Sequence, residues 1–438
     1  MKLVAVTFGT EGDTRPIAAL CRALQDAGHE VMLLAADGTL GSARELGVPH
    51  AALAGDIRGT LQPGGGIASV LSGKKSMNET AKALAKIAND NAAAWMRQTL
   101  DAIPGSDAVI GAGLAAYAGF CAAEKLGIPI IGAGMFPLTP TREFPSPFLP
   151  PRRIPRFLNR LSHHLVVRVL WGEFRHAINA ARVEVCGLPP RRKPWSEQPM
   201  LYGVSPSLLP KPADWPSNAY LCGQWVRPVR EWQPPPSLCD FLATGEAPMY
   251  VGFGSMVGFD RDTLLEAIVA AVAGRRVLFY PGWAGTPDLG LPKNFCVIQD
   301  TPHDGLFPRT SLVIHHGGSG TTHSAARAGV PSIVLPFAGD QPFWAERLRV
   351  SGVAAEAAGG RVVTSEILKR AIDAASTAQM RGRAAALGEK MRAEDGLASA
   401  VARIEMLLAP GTCNSRGFNV TDSRPRTRSV HRGRRESP

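Results

Sequence analysis

Short apolar runs bounded by glycine or charge alternate along this chain with stretches in which apolar residues recur every three or four positions. Residues 2–8 read as a strand and residues 9–13 as a tight turn. Ile17, Leu20, Cys21 and Leu24 then fall at helical spacing, with Arg22 and Asp26 between them, and Gly28 ends that helix. Residues 31–36 form the next strand. Residues 108–110 and 128–131 look like further strands, separated by a Gly/Ala-rich helix. This is the βαβ rhythm of a parallel sheet covered by helices.

The rhythm breaks at residues 205–236, which hold eight prolines and end in Pro234-Pro235-Pro236. Such a stretch suits an extended interdomain linker. The pattern then restarts. Residues 249–253 read as a strand, Gly254-Ser255-Met256 as a turn and 263–272 as an apolar helix, with further strands at 277–280, 295–298, 312–315 and 332–337. The expected organisation is therefore two α/β halves, 1–204 and 237–410, followed by an Arg-rich tail at 411–438 with too little apolar content to fold. A length of 438 residues fits two to three domains.

Hydrophobic residues make up 45% and charged residues 19%, enough apolar material for full-sized cores. The seven cysteines are scattered and never form a CxxC pair, which argues against a disulfide framework or a cysteine zinc site. The apolar run at 3–8 is too short for a signal peptide core. The uncharged, glycine-interrupted stretch 108–123 falls short of the roughly 20 residues a membrane span needs. A cytoplasmic setting is expected. The net charge of +11 is concentrated: residues 152–193 carry +8, the tail +5 and the remainder −2. No nucleic-acid reading module accompanies these basic segments, so no nucleic-acid partner is expected. Either they are solvated surface and a disordered end, or they attract an anionic membrane surface.

The strongest local signal is His315-His316-Gly317-Gly318-Ser319-Gly320-Thr321-Thr322, which follows a strand and opens a helix. Glycines let the backbone approach an anion, and the free N–H groups of a helix start face it. Thr321 and Thr322 add hydroxyl donors, and a histidine can donate to a phosphate oxygen. The same turn also reads as ordinary strand-to-helix geometry with capping threonines. Asp340-Gln341-Pro342 opens the helix after the next strand. A carboxylate and an amide there could hold adjacent sugar hydroxyls, although Asp340 alone is equally a helix cap. Gly254-Ser255 lies at the C-terminal end of the first strand of this half, the edge where open α/β sheets bind ligands.

The run HHGGSGTTHSAARAGVPSIVLPFAGDQPFWAERL resembles the donor signature of the UDP-glycosyltransferase family with the GT-B fold. It is most similar to the sterol glucosyltransferase branch and to bacterial enzymes that glycosylate lipids and antibiotic aglycones. TFGTEGDTRPIAAL, YVGFGSM, PHDGLFPRT and LNRLSHHLVVRVLWGEFRHAINAARVEVCGLPP extend the likeness over about residues 1–408. The resemblance implies two Rossmann-like, doubly wound domains facing across a cleft. It places His316, Gly318, Ser319, Gly320, Thr321 and Thr322 on a diphosphate, with Ser255 helping and Gly12 beside the donor. Asp340 and Gln341 would hold the sugar, and residues 297–303, including His303, would line the nucleobase. One departure is visible, because the sterol branch usually has Trp after His-Asp where this chain has Gly305.

Asp13 closes the first turn at the start of the first helix. A dinucleotide site would need GxGxxG, and this turn has only GxxG, although Asp37 imitates a ribose-binding acid. Asp13 is either a helix cap or, by the resemblance, the general base that takes the acceptor proton. A carboxylate at a helix N-terminus is expected to be held ionised. The implied reaction is a single inverting displacement that moves a hexose, glucose first, from a UDP-sugar to a hydroxyl of a lipophilic acceptor. A rhamnosyl or other deoxysugar transferase is the alternative. A non-catalytic lipid-binding protein and a sugar-nucleotide epimerase are more remote. Asp260-Arg261-Asp262 matches DxD, the metal-binding motif of the other major glycosyltransferase fold, but it precedes an apolar helix where acids cap the start, and the pairs His163-His164 and His315-His316 lack the spacing of a zinc helix motif. No metal or other cofactor is expected.

Overall fold

The computed structural model describes residues 1–61, 77–227, 232–254, 256, 260–282, 290–356 and 363–409. Two parallel sheets organise them. The first contains β1 (Lys2–Val6), β2 (Glu30–Ala36), β3 (His50–Leu53), β4 (Ala108–Gly111), β5 (Ile130–Gly134), β6 (Met200–Tyr202) and β7 (Ala219–Leu221), in the order 3-2-1-4-5-6-7. The second contains β8 (Met249–Gly252), β9 (Val277–Tyr280), β10 (Phe295–Val297), β11 (Leu312–His315), β12 (Ser332–Val334) and β13 (Ala354–Glu356), in the order 10-9-8-11-12-13.

The central strands are apolar throughout because both faces are covered. Along β1, Val4 and Val6 point into a core with Phe8, Trp95 and Met96, while Leu3 and Ala5 point into another with Ile17, Leu20 and Leu24. In β8, Met249 and Val251 share one core and Tyr250 belongs to the opposite one. This period-two partition fixes register, since a slip of one residue would exchange the two layers. The strand order reverses at β1/β4 and again at β8/β11. The loops after these strands therefore open at topological switch points, where ligands reach the C-terminal strand ends.

Two boundaries differ from the sequence-based expectation. β7 lies inside the stretch expected to be linker and pairs with β6, so the first sheet runs on to Leu221. Its prolines flank an edge strand, where a missing N–H costs little. The last helix, Gly396–Leu408, follows the second sheet in sequence but packs on the first half. Its Ala400, Val401 and Ile404 share a core with Ile17 and Leu24 of the helix Glu11–Asp26. The crossing needs two glycines. A Cβ on Gly396 would lie 2.4 Å from Gln224 O, and one on Gly223 would lie 2.8 Å from Gly396 Cα. The expected tail at 411–438 lies outside the described residues. No described helix is long and apolar enough to cross a membrane.

Candidate active site between the two sheets

The turn after β1 is shaped by Asp13. Its Oδ2 accepts the Thr10 N–H at 2.8 Å and the Thr10 hydroxyl at 3.4 Å, so the carboxylate folds back over the turn. Gly9 makes room for it, because a Cβ there would stand 2.1 Å from Oδ2. Burial raises the Asp13 pKa to about 6, against the lowering effect of the Thr10 bonds. The helix terminus alone predicts a firmly ionised acid, and desolvation outweighs it here. Asp13 therefore titrates near the working range of a general base. Gly12 is exposed beside it.

Across the cleft, β11 delivers His315 and His316 to a turn built on glycine. Gly317 has φ +92°, and a Cβ on it would meet Val334 Cγ1 at 2.7 Å. Gly318 caps the helix Ser319–Ala328 with no side chain bonded to the helix start. The His316 ring is pressed between glycines: a Cβ on Gly318 would be 2.5 Å from Nε2, and one on Gly254 would be 3.0 Å from Cε1. The ring is buried, its Nδ1 has no hydrogen-bond partner, and burial depresses its pKa to about 4. His316 is thus a neutral imidazole with a free nitrogen beside an uncapped helix start. The buried Thr322 hydroxyl is also unpartnered. Ser319 is spent differently, donating to Met135 O of the first half at 2.7 Å. Thr321 is half-buried and Gly320 exposed.

Asp340 stands immediately before the helix Gln341–Val350 and accepts the Trp344 indole N–H at 2.7 Å. Burial raises its pKa to about 6, and the charge of Asp13 contributes to the shift. Each carboxylate comes from a different half, and the cleft brings them within each other's field. Gln341 has another occupation. Its Oε1 accepts the N–H groups of Phe337 and Ala338 at 2.7 and 3.1 Å, and its Nε2 reaches Met256 Sδ at 3.2 Å. In this structure the amide braces the loop that carries Asp340.

His303 stacks on Phe307 with ring centroids 4.3 Å apart, and burial lowers its pKa to about 4. Close by, Arg15 of the first half pairs with Asp300 of the second at 2.8 Å. Ser255 lies outside the described residues. Asp260 of the DxD match caps the helix Arg261–Val272, accepting the Thr263 N–H at 3.2 Å. Sequence reasoning missed Trp232. A Cβ on Gly305 would lie 2.5 Å from Trp232 Cε3, so an indole from the proline-rich stretch fills the volume beside this glycine. Arg309 lies over the same ring at 5.3 Å. The only signal in the sequence was the missing bulk at Gly305.

Two α/β halves thus face each other with a carboxylate on each side and an anion-receptive helix start between them. Residues 3–145 match the family described as glycosyltransferase family 28 N-terminal domain, and residues 265–407 match the erythromycin biosynthesis protein CIII-like C-terminal domain. The chain is 34% identical to O-mycaminosyltylonolide 6-deoxyallosyltransferase of Streptomyces fradiae, over 92% of this chain and 97% of that enzyme. It is 32% identical to a sterol 3-beta-glucosyltransferase of Arabidopsis thaliana, over 92% of this chain and 64% of the plant enzyme. A Yarrowia lipolytica sterol 3-beta-glucosyltransferase is 31% identical over 92% of this chain, which spans only 28% of the yeast enzyme. Among solved structures, the glycotransferase of kitacinnamycin superposes with a TM-score of 0.65 at 20% identity, covering 92% of this chain and 98% of that one. Spinosyn rhamnosyltransferase SpnG complexed with spinosyn aglycone gives 0.63 at 21% identity, covering 92% and 100%. The chain belongs to the GT-B glycosyltransferase family.

Proposed function

We propose that the chain transfers a hexose, glucose in the first instance, from a UDP-sugar to a hydroxyl of a lipophilic acceptor, sterol-like or another aglycone, with inversion at the anomeric carbon. The observation that carries this reading is the free nitrogen of His316, buried beside an uncapped helix start, with Asp13 of the other half in the field of Asp340. Asp13 takes the proton of the acceptor hydroxyl as its oxygen attacks the anomeric carbon. The bond from that carbon to the diphosphate oxygen breaks, and the nucleoside diphosphate leaves with the negative charge. His316, neutral and able to donate one N–H, meets that charge together with the N–H groups of residues 319–321, since the Thr322 N–H is bonded to Gly318 O. Asp340, held by Trp344, accepts from sugar hydroxyls, and His303 belongs to the nucleobase side. Holding both substrates in one cleft supplies proximity. The reading assigns no step to a metal.

A second reading, a TDP-deoxysugar donor and a polyketide acceptor, is supported by the match across nearly the whole 6-deoxyallosyltransferase and by the likeness to SpnG complexed with thymidine diphosphate. A mass-spectrometric product screen separates the two. UDP-glucose and TDP-rhamnose are offered with sterols, lipid alcohols and polyketide phenols, and Asp13→Asn and His316→Ala run alongside. A hexose adduct from UDP-glucose, absent in both variants, supports the first reading. A deoxyhexose adduct from TDP-rhamnose alone supports the second. Failure to bind any nucleotide sugar in calorimetry refutes both.

A further inference from the structure

The helix Asn159–Cys186 buries one side and leaves the other without a partner among the described residues. Val166, Trp171, Phe174 and Ile178 are buried, whereas Leu161 and Leu165 are 60% and 50% exposed, and Phe157 in the turn just before the helix is 84% exposed. Positions 157, 161 and 165 are four residues apart, which places the helical pair on one stripe that the preceding phenylalanine continues. A single exposed leucine means little, but a contiguous apolar stripe marks an interaction surface.

Its setting identifies the partner. Arg153, Arg156, Arg160 and Arg168 surround the stripe, are exposed, and form no ion pair among the described residues. The neighbouring Arg152 differs, pairing with Glu346 at 3.0 Å and with Glu356. Within 152–193 the sequence sets ten basic residues against Glu173 and Glu184 alone. In the fold Arg182 and Arg191 pair with Glu124, Asp214 lies in the field of Arg160, and Glu184 is paired with Arg97. A second copy of this chain on a two-fold axis would bring these guanidinium groups against one another. An anionic bilayer supplies counter-charges and takes up the apolar stripe. The stripe also connects to the cleft. Ser146 N–H is held by Ser162 Oγ, Asn159 Nδ2 donates to Arg142 O, and the same segment begins at Met135, which touches Ser319.

We propose that this stripe docks the protein on an anionic lipid surface, with Phe157, Leu161 and Leu165 at the acyl-chain boundary and the four arginines on the headgroups. The docking deepens the reading of a lipophilic acceptor, which would then be met at the membrane, but its test needs no turnover. The full chain is floated with vesicles of phosphatidylglycerol and phosphatidylcholine, and with phosphatidylcholine alone. The wild type should bind the anionic vesicles only. The triple change Phe157→Ser, Leu161→Ser, Leu165→Ser should lower that binding at least about tenfold, and Arg153→Ser with Arg156→Ser and Arg160→Ser about a hundredfold. Circular dichroism melts should show both variants folded. Wild type that ignores anionic vesicles overturns the proposal, as does an apolar variant that binds them undiminished, which would assign attraction to the seven arginines of 411–438. A wild-type dimer that the apolar variant converts to monomer, with vesicle binding unchanged, would give the face to a second copy. If the product screen fails while flotation succeeds, docking stands without the transferase reading.

Discussion

Gly318→Ala tests the donor turn with one methyl group. The backbone there, φ −60° and ψ 143°, suits alanine, so the fold should lose no more than about 1 kcal/mol. The new Cβ would lie 2.5 Å from His316 Nε2, short of the 3.4 Å at which ordinary contact begins by about 0.9 Å. The ring must retreat by that amount, and Gly254 closes in on its Cε1 edge. A misplacement of about 1 Å at a group that meets the leaving charge costs about a hundredfold in rate, roughly 2.7 kcal/mol. Steady-state kinetics with a soluble acceptor should show kcat down about a hundredfold, beside a melting temperature within a few degrees of wild type. Gly172→Ala is the control: a Cβ there meets nothing within 4 Å, so kcat should hold while helix propensity adds up to about 1 kcal/mol of stability. A Gly318→Ala enzyme with kcat within threefold of wild type would refute the placement of His316 on the diphosphate.

Asp13→Asn should abolish turnover by about a thousandfold yet stabilise the protein at pH 8. The folded pKa of about 6 lies above the ordinary 3.8, so folding favours the protonated acid, and the ionised group costs stability above pH 6. After discounting for partial exposure the gain should be about 1–2 kcal/mol, vanishing below pH 4, and wild-type kcat/KM should show an acid limb near pH 6. Both are checked by melts and pH–rate profiles, and a limb below pH 4.5 would remove Asp13 as the base. Trp344→Phe removes the bond to Asp340 and should raise the donor KM several-fold with little change in kcat. His303, His316 and His323 have folded pKa values depressed to about 4 by burial, so their stabilisation is present above pH 6.5 and fades as pH falls toward 4. Melts between pH 7 and 4.5 should fall accordingly; a flat profile would contradict their burial. Deleting 411–438 should leave turnover of a soluble acceptor intact, and collapse would show that the tail belongs to the fold.

The legible parts of this chain were those whose pattern is local. Residues 3–6 and 312–314 are continuous apolar runs because both faces of the strand are covered, and each leads into a glycine turn that announces a helix. Strands β3, β6, β7 and β13 were not legible. Ala51 and Ala52 of β3 are exposed, and β6, β7 and β13 span three residues each, too few to show a period. At the site, the turns that carry Asp13, His316 and Asp340 were legible, while the roles expected of these residues came from the family resemblance. What they face was not legible, since it depends on how the halves meet. Gln341 shows the same limit: a polar residue beside Asp340 suggested a ligand, and its amide instead braces the neighbouring backbone. Trp232 and Gly396 matter through partners distant in sequence, and spacing carries no trace of them.

The return of the helix Gly396–Leu408 to the first half has a consequence for anyone recombining this protein with its relatives. An exchange of donor specificity by a single cut in the proline-rich stretch would transplant that helix as well, and Ala400, Val401 and Ile404 would then have to fit a foreign Ile17 and Leu24. A recombinant with two junctions, one near residue 228 and one just before Asp395, keeps the helix with its native bed. It also keeps Gly223 against Gly396, a backbone crossing with no room for a side chain on either strand of the chain. The unit of inheritance for acceptor choice is therefore discontinuous in sequence, and the donor half is the insert.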